Sequence, residues 1–216
     1  MLSRFTKNVT GSLAGLTLIL LSGCGGDPGT TGLMGEYIPR VHQTVSNHVD
    51  ISHNPNQSIG TQLALDIRVI QVQNDKVFGA AFDLAFDPTI IRFVELRRGG
   101  FLESTSKNGV TYNASVQEGT VNDLVIGISQ TGDDPGVTGS GILATVVFEV
   151  LNRGCSDFKF VVTDNSGVER SKLLNAPSDP NLIPQSIQGV TWSPGGIIRV
   201  RIEGDNQECV PDPQNP

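Results

Sequence analysis

The side chains that could do chemistry are few and scattered. His42, His48 and His53 are near one another but far from any Cys or acidic pair at ligand spacing, and His48 and His53, five apart on a strand, face opposite sides. No metal site is expected. Glu95, Glu103, Glu118 and Glu149 show no pairing across a cleft, which glycoside hydrolysis requires. Neither a Gly-x-Ser-x-Gly elbow, a phosphate-binding Gly loop nor a His-Glu-x-x-His helix is present, so no catalytic residue and no cofactor is expected. The run Gly132-Asp133-Asp134-Pro135-Gly136 lacks the alternating acidic pattern of a calcium loop and reads as a solvated turn. Trp192 is the one Trp that could stack on a sugar, and Tyr37 and Tyr112 do not join it in an evident platform.

The remaining reactive groups are three thiols. Residues 1–23 carry Arg4 and Lys7, an apolar run from Leu13 to Leu21 and then small residues, the order of a secretory signal. That run is too short for a permanent span, which needs about 20 residues. Leu21-Ser22-Gly23-Cys24 resembles the bacterial lipobox, which implies cleavage before Cys24, lipidation of its thiol and a membrane held through lipid alone. Gly25 in the next position implies outer-membrane or surface display in a Gram-negative host. Export to an oxidising compartment makes a Cys155–Cys209 disulfide plausible, with two free thiols as the alternative.

Composition restricts the elements that hold these groups. Val, Ile and Thr number 22, 16 and 16 against 8 Ala in 216 residues, which disfavours a helical bundle. Net charge is −7, and loss of Arg4 and Lys7 takes it to −9. An acidic chain without a basic stripe excludes nucleic acid as the expected partner. Residues 24–44 read as the lipid-bearing Cys and a Gly-rich flexible tether, 45–204 as the folded domain, and 205–216 as a polar, Pro-rich tail.

Within the domain the apolar period is two. Leu63, Leu65, Ile67 and Val69 alternate with smaller or polar residues, as do Phe82, Leu84 and Phe86, then Leu124, Ile126 and Ile128, then Phe158, Phe160 and Val162. Ile142 to Leu151 is apolar nearly throughout and reads as a strand covered on both sides, and Ile197–Ile202 as a last strand with Arg199 and Arg201 on one side. Turn signals at Gln73–Lys76, Asp87-Pro88 and Gly139–Gly141 separate short strands, giving an all-β sandwich or barrel.

The segments Val77–Pro88, Ile90–Leu96 leading to Gly100-Phe101-Leu102, Val125–Ile128 and Gly139–Val150 resemble a cohesin-type module over about residues 49–202. The resemblance implies a nine-stranded jelly-roll sandwich, related to carbohydrate-binding modules, in which one sheet face docks a calcium-loaded dockerin. With Phe82, Leu84 and Phe86 inward, Ala81, Asp83 and Ala85 turn outward, and Val125, Gly127 and Ser129 do the same on a neighbouring strand. Small residues make that surface flat, and it is the candidate partner face, with Asp83 and Ser129 as polar contacts. The partner is a dockerin-like protein or, alternatively, a polysaccharide.

Overall fold

The computed structural model describes residues 32–40, 45–179, 182–205 and 208–209, so Cys24 and the signal segment lie outside the described residues. Among the described residues eleven strands follow in chain order: β1 (Leu33–Pro39), β2 (His48–His53), β3 (Gln62–Phe86), β4 (Ile91–Arg98), β5 (Val110–Gln117), β6 (Asn122–Gln130), β7 (Val137–Val150), β8 (Gly154–Val161), β9 (Lys172–Asn175), β10 (Thr191–Trp192) and β11 (Gly196–Ile202). A 3-10 turn, Leu102–Ser104, precedes β5.

The chain makes two layers joined by one strand. The first half of β3 pairs antiparallel with β2 and β7, and β7 pairs with β4. Its second half pairs with β6 on one side and with β8 and β9 on the other, while β5 pairs with β6 and β1 with β11. The turn expected at Gln73–Lys76 is instead a kink inside a 25-residue strand. Gln71 takes φ 51° there, and the pairing with β7 slips between Val69 and Val77. Polar residues without a closing hairpin let the strand bend and change layers, as a bulge does.

Alternation fills the space between layers. Leu63, Leu65 and Ile67 from the first half of β3 and Phe82, Leu84 and Phe86 from the second are at most 1% exposed. The Phe148 ring on β7 meets Phe86 and Phe158 at centroid distances of 5.2 and 5.3 Å, which ties one layer to the other. Leu143 to Phe148 are buried at every position, as the continuous apolar run requires.

The strand count exceeds nine because two short elements have weak sequence signals. Residues 33–39, expected in the tether, form β1. Leu33 and Tyr37 turn inward while Glu36 faces Arg199 of β11 at 2.6 Å. That seven-residue alternation is masked by the Gly-rich stretch before it. β10 is two residues long and pairs in parallel with β2. Of the two alternatives for the thiols, the structure has the bond: Cys209 is joined to Cys155 on β8, with Cα atoms 5.9 Å apart, so the chain after β11 is fastened to the sandwich at that residue.

Candidate docking face

Registers across β8/β9, β3, β6 and β5 place the face residue by residue. Lys172, Ala81, Gly127 and Asn113 form one row. Val161, Asp83, Val125 and Ser115 form the next, and Lys159, Ala85, Asp123 and Gln117 the third. Ala81, Val125, Gly127 and Ser129 are half-buried, and Asn113 and Ser115 are exposed. Ala81, Asn113, Ser115, Val125 and Gly127 line a shallow depression on the surface. A Cβ added at Gly127 meets no atom within 4 Å, so the plateau is open above that position. At Gly79 in the same sheet a Cβ would come within 2.8 Å of the Ile128 carbonyl, so that glycine serves strand packing.

Two of the expected contact residues are not available. The Asp83 side chain is 4% exposed because Arg170, in the β8–β9 connection, lies over it and donates through Nε at 2.7 Å. Burial pushes the Asp83 carboxyl up, and the Arg170 guanidinium opposes that shift. Asp83 is therefore an internal anion holding Arg170, and the polar character of this part of the face comes from Arg170. Ala85 is buried at 8% beside Lys159. Alternation correctly gives the side on which Asp83 points. It carries no information about an arginine 87 residues away that covers it.

The other candidate chemistry is absorbed by the structure. Trp192 packs against Phe160 and Phe82 with centroids 4.8 and 6.1 Å away, so its ring is part of the core edge. Asp87 accepts from the Thr89 N–H at 2.8 Å and closes the turn at Pro88. His48 is buried while His53 is exposed and meets Ser58 at 3.0 Å. Among the described residues no three His, Cys, Asp or Glu side chains converge as a metal site would need.

Asp134 is a loop anchor. It accepts from Ser106 Oγ at 2.6 Å and from the backbone N–H groups of Lys107 and Asn108 at 2.9 and 3.2 Å. These donors hold its carboxyl below the usual carboxylate range. Because the folded value lies below the unfolded one, the stabilisation is fully present above about pH 4 and is lost as pH falls through the folded value. Asp164, held down by Val168 and Ser166, works in the same direction, while Asp83, raised on folding, works in the opposite one. Asp134→Asn is expected to flatten the acid limb of a stability–pH curve measured by urea unfolding. An unchanged acid limb would contradict the role given to these hydrogen bonds.

The family model described as the cohesin domain matches residues 49–179. The chain belongs to the cohesin domain family. Solved cohesins share its fold at low identity. The second type II cohesin module of the adaptor ScaA scaffoldin of Acetivibrio cellulolyticus matches with TM-score 0.53 and 18% identity, over 76% of this chain and 92% of that one. Type II cohesin A11 from Bacteroides cellulosolvens matches with TM-score 0.50 and 14% identity, over 69% and 97%. An interface mutant of a type II cohesin–X-dockerin complex from Acetivibrio cellulolyticus matches with TM-score 0.50 and 16% identity, over 68% and 93%. No curated protein matches the chain. The family match leaves β1, β10 and β11 of this cohesin outside it, and these strands complete the sandwich around the matched part.

Proposed function

We propose that this cohesin is a lipid-anchored, extracytoplasmic docking module without catalytic chemistry, and that a dockerin-like protein seats on the face built by Ala81, Val125, Gly127 and Ser129. The observation that carries the reading is the open plateau at Gly127, flanked in register by Ala81 and Asn113. Small side chains on adjacent strands admit a rigid element at close range, and Arg170, Asn113, Ser115 and Ser129 border the plateau with polar groups. One cohesin of the same fold is solved in a complex with X-dockerin, which supports a protein occupant. The polysaccharide alternative loses its aromatic platform, since Trp192 is packed on Phe82 and Phe160.

The anchor reading rests on the Leu21-Ser22-Gly23-Cys24 motif. Leu33 opens β1 nine residues after Cys24, and at about 3.3–3.6 Å per residue that linker spans at most ~30 Å. A lipidated Cys24 thus keeps the sandwich close to its membrane. Cys24→Ser should move the protein from the membrane to the soluble fraction, and unchanged membrane retention would exclude the lipid anchor.

The docking test uses an immobilised dockerin module, beginning with the X-dockerin of the Acetivibrio complex and extending to duplicated calcium-loop segments of the host. Gly127→Arg puts a long cationic side chain onto the plateau from a position where a Cβ meets no atom within 4 Å. It is expected to weaken capture at least roughly thirtyfold, the scale of one interface hot spot. Arg68→Glu, exposed on the first half of β3, is expected to bind as the unmodified chain does. Equal capture of Gly127→Arg and the unmodified chain would refute the face.

A further inference from the structure

The outermost strand of the docking layer is β5. It pairs with β6 through all eight residues without a register shift, and among the described residues no strand pairs on its other side. Alternate N–H and C=O groups of that edge therefore face solvent. Proteins blunt such edges with charges, prolines, bulges or short length. The outer strand of the other layer does so: β4 carries Arg92, Glu95, Arg97 and Arg98, and its pairing slips between Phe93 and Glu95. β10 is two residues long and β1 ends in Pro39. β5 has none of these devices. Val110 to Gln117 contains no charge and no proline, residues 113–117 are exposed, and Val116 is 37% exposed.

We infer that β5 is a homodimerisation edge, on which β5 of a second copy pairs antiparallel about a two-fold axis normal to the sheet. Such an axis keeps inner side chains on the inner side, so only registers that match like faces are allowed. A register centred on Asn113 sets Tyr112 opposite the partner's Ala114 and Val110 opposite the partner's Val116. A register centred on Ala114 sets Tyr112 opposite the partner's Val116. Both cover the exposed Val116 with apolar surface, and the alternation in β5 thus makes the strand complementary to itself. Pairing consumes both free edges, so the assembly closes at two copies instead of growing into a fibre. The two small-residue faces then lie side by side on one continuous sheet, and the dimer offers two docking sites to one side. One ladder of this length falls below a standard interface in area, which makes the dimer a weak, micromolar one.

The test is sedimentation equilibrium of the Cys24→Ser chain, free of lipid, across a roughly hundredfold concentration range reaching ~300 µM. The mass is expected to rise from monomer to dimer and to stop there. Asn113→Lys and Asn113→Asp set like charges near the axis and should each weaken the dimer at least roughly fivefold, while a mixture of the two should regain it as a heterodimer. Gly127→Arg, one strand in from the edge, should dimerise normally, which separates this edge from the docking face. Monomer at the highest concentration, growth beyond the dimer, or an Asn113→Lys chain that dimerises as well as the unmodified one would overturn the inference.

Discussion

Phe148→Ala is expected to lower folding stability by about 3–5 kcal/mol, the range for truncating a fully buried Phe. Phe148 stands on β7 with no exposed surface, and its ring makes edge contacts with Phe86, Phe158 and Phe93. Two of those rings belong to the opposite layer, so Ala leaves a void where the layers meet, and the neighbouring strands cannot close it without losing their own registers. Aromatic edge contacts add about 0.5–1.5 kcal/mol per pair beyond area burial. Urea unfolding with a common slope measures the loss. Val94→Ala, 42% exposed on β4, is the comparison and should change stability by less than about 0.5 kcal/mol. A Phe148→Ala loss below 1 kcal/mol would mean that the layers do not pack through this ring.

Opening the Cys155–Cys209 bond is expected to cost about 4 kcal/mol. The bond closes a loop with a sequence separation of 54. In the chain-entropy account a loop of that length constrains the unfolded chain by roughly this amount. The bond also fastens the segment after β11 to β8, next to the ion pair of Arg153 with Asp205. For a domain of this size the loss corresponds to a fall in Tm of roughly 10 °C or more on reduction. Thermal unfolding of the Cys24→Ser chain with and without reductant measures it. Thiol titration of the unfolded, unreduced chain should find no free thiol, with two appearing after reduction. An unchanged Tm, or two free thiols before reduction, would contradict the bond.

The parts of the fold that were legible in the sequence are those whose burial is one-sided and local. Phe82 to Phe86, Leu63 to Val69 and Leu124 to Ile128 alternate because one face of each meets the opposite layer, and the structure buries those residues. The lost parts depend on distant partners. β1 is a strand because β11, more than 150 residues later, supplies its ladder and the Arg199 partner of Glu36. The Gln73–Lys76 segment has turn-forming residues, yet β7 and β9 reach across to Val77 and keep the strand going. Asp83 shows the same limit within the site. Its direction follows from alternation, whereas its loss as a contact residue follows from Arg170, which has no local signal. The small-residue rows were legible because both Ala81 and Gly127 sit at outward positions of strands whose inward positions are large.

The functional account makes the β3–β6–β5 plateau the surface that meets a partner. Amide chemical-shift mapping of the Cys24→Ser chain, titrated with the X-dockerin probe or a host dockerin-like module, reads that surface directly. The account predicts the largest changes at Ala81, Asn113, Ser115, Val125, Gly127 and Ser129, with residues of β2 and β4 in the other layer unmoved. Binding whose shifts fall on β2 and β4 while the plateau stays silent would contradict it.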